Sequence, residues 1–275
     1  MRPRPHTLRC VLLLGLALSG SGACVRPVLA AAIELVSAPD PDSDGQPGPS
    51  QCPSLSADGR FVAFVSSGSD LVVGDANLAD DVFVRDRLLG VTQRVSVSTF
   101  GDEANGGSYS SSISADGRFI AFTSEASNLV PDDTNGTWDV FLRDRLLGTT
   151  DLVSVSTEGQ QGDRGSLYPV ITPDGRFIAF ESSAGNLVGR DTDGLADIFL
   201  RDRLLGTTEL VSVGDYPYTY GSPSISGDAR FIAFTSTIYM STGVSVCDRL
   251  SQSTCPLAHG DDPSITGDGH LVAFY

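Results

Sequence analysis

Lysine is absent from this sequence, and histidine, tryptophan and long apolar runs are scarce. All 18 basic residues are arginines, set against 34 acidic residues, which gives a formal net charge of -16 at pH 7. A surface this acidic repels phosphate backbones, so nucleic acid is not expected as a partner. Beyond the first residues the imidazoles are His259 and His270, and neither lies in a recognisable catalytic motif. We therefore expect a protein that is not an enzyme.

The N-terminus has the pattern of a secretory signal peptide. Three arginines among the first nine residues precede an apolar run from Cys10 to Leu18, and small residues surround Ala31. This run is much shorter than the roughly 20 apolar residues that cross a bilayer, so no membrane span is expected. The pattern predicts a signal over residues 1–32 and places the rest of the chain in the periplasm or outside a bacterial cell.

Cys24 raises an alternative mode of export. An acylated cysteine at the mature N-terminus would make the protein a lipoprotein with a lipid anchor at Cys24. Ser21 stands where the usual lipobox has leucine, which favours free secretion.

The chain repeats itself. The stretch DTDGLADIFLRDRLLGTTELVSV begins at Asp191, DTNGTWDVFLRDRLLGTTDLVSV at Asp133, and a looser copy at Asp75. A second motif, S-x-D-G-R-F and its variants, places its aspartate at positions 58, 116, 174, 228 and 268. Self-similarity at a near-fixed period is the signature of a repeat architecture. The repeats fall near residues 52–109, 110–167, 168–221 and 222–261, with a partial copy over 262–275.

Each repeat predicts four short strands. Apolar runs such as FIAFTS and DVFLRD are typical of strands, and turn residues border them. In the third and fourth repeats we predict strands over Pro223–Ser226, Phe231–Ser236, Asp197–Asp202 and Thr208–Val213. Four antiparallel strands per repeat make one blade of a β-propeller. The predicted fold is therefore all-β, with about four blades and a partial fifth.

The ISADGRFIAF and DVFLRDRLLGTT stretches resemble the WD40-like repeats, also called PD40 repeats, of TolB-type β-propellers. The resemblance covers residues 33–275. It implies an extracytoplasmic propeller that commonly serves as a protein-interaction scaffold, although propellers also carry enzymes.

The ends of the repeat array predict how the ring closes. Residues Ile33–Ser37 resemble a fourth strand, which we expect to pair into the last blade. The sequence stops at Tyr275, within the second strand of the fifth repeat, which indicates an incomplete ring or a fragment of a longer protein.

Unbalanced acidity gathers at one end of the predicted propeller. The long loops and the connections between blades carry these acids, whereas the tight turns pair each acid with a nearby arginine. Loops on a rigid scaffold are the usual place for binding residues. The acidic loop residues are Asp75, Asp80, Asp81, Asp102, Glu103, Asp132, Asp133, Asp163, Asp191 and Asp193.

A D-x-[DN]-x-x-x-D pattern in three of these loops suggests Ca²⁺ as a cofactor. Alternating side-chain oxygens on a tight loop can converge on a hard cation. The alternative is that these side chains cap their own turns. The candidate metal ligands are Asp75, Asn77 and Asp81, then Asp133, Asn135 and Asp139, then Asp191, Asp193 and Asp197.

The repeats also predict a disulfide bond. Alignment of the third and fourth strands places Arg201 opposite Glu209, and the equivalent positions of the fourth repeat are Cys247 and Cys255. Two thiols at cross-strand distance in an oxidising compartment are expected to form a disulfide. The alternative is two separate thiols.

Together these patterns predict an exported, non-enzymatic propeller that binds a protein, or alternatively a glycan, through its acidic loops. The second hypothesis is that the chain is the propeller portion of a larger exported hydrolase, similar to prolyl oligopeptidases, whose catalytic domain would follow Tyr275.

Overall fold

The computed structural model describes residues 34–189, 194–212, 219–238 and 241–275, and the regular structure of these residues is entirely β-strand. No helix in this part of the chain is long and apolar enough to cross a membrane. The predicted signal over 1–32, including Cys24, lies outside the described residues.

Sixteen strands form four antiparallel sheets, and each sheet keeps its strands in chain order, so we call each sheet a blade. Blade 1 contains β1 (Ser50–Leu55), β2 (Phe61–Ser66), β3 (Asp81–Asp86) and β4 (Val91–Arg94). Blade 2 contains β5 (Ser108–Ile113), β6 (Phe119–Ser124), β7 (Asp139–Asp144) and β8 (Thr149–Leu152). Blade 3 contains β9 (Ser166–Ile171), β10 (Phe177–Ser182), β11 (Asp197–Asp202) and β12 (Thr207–Leu210). Blade 4 contains β13 (Thr219–Ile225), β14 (Phe231–Ile238), β15 (Ser241–Asp248) and β16 (Ser253–His259).

The partial fifth repeat forms a two-stranded sheet of β17 (Ser264–Ile265) and β18 (Val272–Ala273). The predicted all-β fold of four blades and a partial fifth is confirmed. The predicted closing strand is wrong for its described part, because Val36 and Ser37 form a turn. Val36 instead packs beside the buried rings of Phe64 and Phe83. Among the described residues, no strand therefore closes the array in the predicted way.

The second and third strands of blades 2 and 3 are buried on both faces because a neighbouring blade packs against each face. In blade 1, Val36, Leu71 and Val72 cover the face that has no neighbouring blade. One core cluster joins Ala63 and Val82 of blade 1 to Ile120 and Phe122 of blade 2. Within blade 2, the rings of Phe122 and Phe141 stack with centroids 5.8 Å apart. The continuous apolar runs FVAFVS and FIAFTS are thus the signature of strands covered from both sides.

Two ends of the blades differ in their connections. The tight-turn end carries the turns that join the first strand to the second and the third to the fourth. The loop end carries the long loops between the second and third strands and the connections between blades. At the tight-turn end, arginine and aspartate pair within each blade, with N···O distances of 2.6 to 2.9 Å: Arg60 with Asp86, Arg118 with Asp144, Arg176 with Asp202, and Arg230 with Asp248. The Arg60 guanidinium lowers the pKa of Asp86 to about 2.

Tight turns also join one blade to the next. The backbone N–H of Ala57 donates to the carbonyl of Ala115, and Ala115 donates to the carbonyl of Pro173, each at 2.9 Å. Proline has no N–H, so Pro173 cannot donate the equivalent hydrogen bond to blade 4. Blades 3 and 4 are joined by an apolar cluster that includes Val170 and Ile225, and by the ion pair of Arg249 with Glu209.

The predicted disulfide between Cys247 and Cys255 is wrong, because the hairpin register differs by one residue. Cys247 pairs with Thr254, and Cys255 pairs with Val246. A slip of one residue moves a side chain to the other face of a sheet, so Cys247 is buried, Cys255 is exposed, and both are free thiols. The same register pairs Arg201 with Thr208 rather than with Glu209.

Candidate functional site

The loop end is held together by side chains that bind backbone groups of the adjoining loop. The amide of Asn128 donates to the carbonyl of Glu103 at 2.8 Å, and Asn186 donates to the carbonyl of Gln161 at 2.8 Å. Each bond joins the loop of one blade to the connection that precedes it. Since such bonds fix the loop backbone, the loop end presents its remaining side chains from a preorganised surface.

The asparagines of the D-x-N motif have a defined orientation. In blade 2, the Oδ1 of Asn135 accepts the N–H of Thr137 at 3.0 Å, and its Nδ2 donates to Asp139 at 2.7 Å. Asn77 makes the same two contacts in blade 1, with Ala79 and Asp81. Both amide oxygens are therefore engaged in turns, and the amide nitrogens face the carboxylates. A cation bound beside these carboxylates would require the amide oxygens, rather than the amide nitrogens, to face it.

Blade 1 brings three carboxylates together around an arginine. Oxygens of Asp75, Asp81 and Glu103 all lie within 4.8 Å of one another. The Nη1 of Arg94 is 3.5 Å from both Asp75 and Asp81, and it also forms an ion pair with Glu103. Burial raises the pKa of Asp75 and of Asp81, and Arg94 opposes both shifts. The guanidinium thus occupies the position that a metal ion would take.

Blade 2 has neutral groups at the equivalent positions. Leu152 stands in place of Arg94, and Gln161 in place of Glu103. The Nε2 of Gln161 donates to Asp133 at 2.7 Å and to Asp139 at 3.0 Å. Burial, followed by the charge of Asp133, raises the pKa of Asp139 to about 6. The side-chain amides of Gln161 and Asn135 therefore donate hydrogen bonds to carboxylates whose charge a cation would otherwise balance.

In blade 3, Asp191 and Asp193 lie outside the described residues. Asp197 is buried, and its Oδ1 accepts the hydroxyl of Ser212 at 2.6 Å. The same contact, at 2.5 to 2.6 Å, links Ser96 to Asp81 and Ser154 to Asp139. The third aspartate of each motif thus anchors the start of the third strand. Ca²⁺ binding at these loops stays a prediction, which we test below.

Three of the acidic loop residues are exposed: Asp102, Asp132 and Asp163. Asp102 accepts the hydroxyl of Ser98, and Asp163 accepts the N–H of Gly185, which fixes both carboxylates on the surface. Trp138, which also belongs to this end, packs its ring against Tyr109 at 5.2 Å between centroids. The exposed chemistry of the loop end is therefore predominantly anionic.

A second candidate site lies where the innermost strands converge. This open cavity of about 240 Å³, which we call the central opening, includes among its lining residues one from the same position of each repeat. These residues have φ values of 43 to 53°, in the left-handed region that side chains other than glycine seldom adopt. They are Cys52, Ser110, Tyr168, Ser222 and Asp262.

A β-bulge produces this conformation in each complete blade. The register of the first strand against the second shifts between Gln51 and Ser54 in blade 1, and at the equivalent residues of blades 2 to 4. Proline follows the lining residue in four of the five repeats, and proline within a sheet is confined to edges and bulges. That signal was available in the sequence. Residues before proline favour extended backbone, however, so the left-handed conformation was not predictable from it.

Glu181 lies beside the central opening at the joint between blades 3 and 4. The equivalent positions hold Val65, Thr123 and Thr235. The carboxylate accepts the backbone N–H of Ser222, and burial raises its pKa to about 7. A side chain at Gly221 would meet its Oε2 at 2.8 Å, so glycine leaves the room that this larger residue needs.

Replacing Glu181 with glutamine should stabilise the protein at high pH. Below about pH 4.5 this carboxyl is protonated in both the folded and the unfolded chain, so its burial costs no ionisation energy. As the pH rises through about 7, ionisation favours the unfolded chain, and the free energy of unfolding falls. We expect the variant to gain about 1 to 2 kcal/mol in free energy of unfolding at pH 8, allowing for solvent screening of a partly exposed group, and close to nothing at pH 4. Urea denaturation at both pH values measures this difference. Glu125→Gln, at an exposed carboxylate, is the control, and an equal gain at both pH values would show that the charge of Glu181 is not the cause.

The sheets have the fold of TolB-type β-propellers, which confirms the resemblance. TolB from Acinetobacter baumannii matches with a TM-score of 0.56 at 18% identity, over 82% of this chain and 48% of that chain. An oligogalacturonate lyase in complex with manganese matches with a TM-score of 0.56 at 13% identity, over 83% of this chain and 59% of that one. A prolyl endopeptidase matches with a TM-score of 0.51 at 16% identity, over 79% of this chain and 30% of that one.

This chain thus spans about half the length of the TolB chain that it matches. No protein-family model and no curated protein matches the sequence. The likenesses therefore establish a propeller scaffold that both TolB and enzymes use.

Proposed function

We propose that this chain, a propeller scaffold of the TolB type, is an exported, non-enzymatic protein that binds a protein partner through its loop end. The observation that carries the proposal is the contrast between the two ends of the blades. At the tight-turn end, Asp86, Asp144 and Asp202 each form an ion pair with an arginine of their own blade. The same arginines also lie within electrostatic reach of the exposed turn acids Asp58, Asp116 and Asp174. At the loop end, Asp102, Asp132 and Asp163 are exposed on loops fixed by backbone contacts.

A rigid anionic surface favours a partner with a basic surface. Complementary charge accelerates encounter and excludes acidic competitors, and the net charge of -16 extends this attraction beyond the contact itself. The arginine-rich and apolar pattern of residues 1–32 supports export, and an exported protein would meet its partner in the periplasm or outside the cell.

Capture from the periplasmic or culture-fluid fraction tests this function. The variant Asp102→Asn, Asp132→Asn, Asp163→Asn should bind its partner about 10- to 150-fold more weakly, because rim charges contribute about 0.5 to 1 kcal/mol each. The matched control is Asp58→Asn, Asp116→Asn, Asp174→Asn, which removes three charges at the tight-turn end and keeps the oxygen that accepts the turn N–H. Equal losses in both variants would contradict a site at the loop end.

A larger hydrolase is the second candidate function. The prolyl endopeptidase match favours it, since this chain covers only 30% of that longer protein. The coding sequence downstream of Tyr275 distinguishes the two: an α/β domain with a G-x-S-x-G nucleophile elbow supports the hydrolase, and further blades alone support the binding protein.

A further inference from the structure

The central opening combines a repeated backbone with side chains that change from repeat to repeat. The left-handed conformation recurs at all five positions, and it is strained for a residue other than glycine. Yet none of the five is glycine, and they supply a thiol, two hydroxyls, a phenol and a carboxylate. Strain of this kind concentrates at ligand sites, where the fold holds side chains in place for binding.

The polar side chains of the lining favour a cation, and Pro169, Val170, Pro223 and Pro263 add an apolar surface that suits an alkyl chain. The carboxylate of Asp262 is exposed, and its Oδ2 accepts the hydroxyl of Tyr275 at 2.8 Å. Tyr168 is 48% exposed, so a cation can reach this residue from solvent. Ser110, Ser111 and Ser222 add hydroxyl groups, and the lining contains no basic residue among the described part of the chain. Glu181, whose carboxylate accepts the backbone N–H of Ser222, is a second acidic group next to the lining.

We propose that the central opening binds a primary ammonium group, held by the carboxylate of Asp262, the ring of Tyr168 and the serine hydroxyls. An ammonium group has three donors and no acceptor, which suits a lining of carboxylate, phenol and hydroxyl oxygens. A cavity of about 240 Å³ holds a short alkylamine or one lysine side chain. The site uses none of the exposed loop-end acids, so it is independent of the proposed function.

Two probes distinguish the sources of the ammonium group. One is 1,4-diaminobutane, a free amine, and the other is a lysine peptide blocked at both ends, which represents the side chain of a protein. Isothermal titration calorimetry of the full chain should show saturable binding of at least one probe and none of the N-acetylated form of that probe. Binding of the amine alone assigns a small-molecule site, and binding of the peptide alone assigns a lysine-capturing site.

Variants of the lining test the named contacts. Asp262→Asn and Tyr168→Leu should each weaken binding of the active probe about tenfold, since each removes an interaction of about 1 to 2 kcal/mol. Tyr275→Phe removes the hydrogen bond to Asp262 but leaves the negative charge of Asp262 in place, so this variant should still bind the active probe. Asp132→Asn, which removes one charge at the loop end, should bind as tightly as the unaltered protein.

Two results would overturn the proposal. One is the absence of saturable binding with both probes. The other is equal weakening by Asp132→Asn and Asp262→Asn, which would mean that amines are attracted by the net charge and by no particular site. Circular dichroism melts of each variant confirm that it is folded before its affinity is compared.

Discussion

Replacing Arg94 with leucine should destabilise the protein by about 3 to 5 kcal/mol, because it leaves three clustered carboxylates without a counter-charge. The side chains of Asp75 and Asp81 are almost fully buried, and Glu103 is only partly exposed. Leucine is the residue that blade 2 carries at this position, as Leu152, so it suits the strand itself. The loss therefore reports the missing charge and can be measured by urea denaturation at pH 7.

Calcium should restore part of this loss. Without the guanidinium, the three carboxylates offer oxygen ligands within 4.8 Å of one another, a spacing that a hard cation can use. We expect millimolar Ca²⁺ to raise the melting temperature of Arg94→Leu and to leave that of the unaltered protein unchanged, with or without EDTA. Arg164→Leu is the matched control, since it removes an exposed loop-end arginine that contacts the carbonyl of Gly194. If EDTA instead destabilises the unaltered protein, the calcium sites predicted from the sequence are supported and the account of Arg94 is contradicted.

Replacing Gly175 with alanine should cost about 2 to 4 kcal/mol. Alanine at this position would be strained by the left-handed backbone, at φ 73°, and its Cβ would also overpack the contact between blades 2 and 3. Its Cβ would lie inside contact distance of the Phe119 ring, which is held between Arg118 at 4.6 Å and Arg203 at 4.0 Å from its centroid. The ring is therefore not free to move away.

Gly59 provides a control within the same turn of blade 1. Its φ is 67°, but no ring of a preceding blade lies beside it, and a Cβ would meet only Arg87 at 3.8 Å. Gly59→Ala should cost about 1 kcal/mol, the strain alone. Blade 4 already carries Ala229 at this position, where Arg249 lies 5.1 Å from the Phe177 centroid and the stack is wider. Equal costs for Gly175→Ala and Gly59→Ala, measured by urea denaturation, would contradict packing between blades.

The fold was predictable because the repeats carry it redundantly. The apolar runs are long enough to identify strands buried on both faces, and the Asp-Gly turns mark where one strand ends and the next begins. The third strand of blade 3 was predicted as Asp197–Asp202 and is observed with the same bounds.

The register of the outer hairpin was not predictable with the same certainty. Both a register pairing Cys247 with Cys255 and the observed one satisfy the sequence pattern. The observed register buries Cys247 where Arg85, Arg143 and Arg201 stand in the other blades, and keeps each of these arginines bonded to a threonine of the fourth strand at 2.9 to 3.0 Å. The residue opposite each of these third-strand arginines is therefore a threonine that accepts its hydrogen bond, and not an acidic residue of opposite charge.

The acidic loops were located correctly, but their chemistry depends on contacts between distant residues. Asp81 and Glu103 meet only because the loop of blade 1 folds onto the connection to blade 2. Arg94, the residue between them, belongs to the fourth strand and gives no sign of this role in the sequence. The central opening was missed for a related reason, since its five residues are separated by 40 to 58 positions and differ in chemistry.

Cross-linking across the central opening tests the convergence of the blades most directly. In a variant with Cys247 and Cys255 replaced by serine, a second cysteine is introduced as Ser222→Cys, at a residue that lines the same cavity as Cys52. A short bismaleimide should join the two within one molecule, as read by mass spectrometry of peptides, whereas Asp151→Cys on the outer strand of blade 2 should not react with Cys52. Failure of the Ser222→Cys variant to cross-link, or equal cross-linking of the Asp151→Cys variant, would contradict an arrangement of blades around a shared opening.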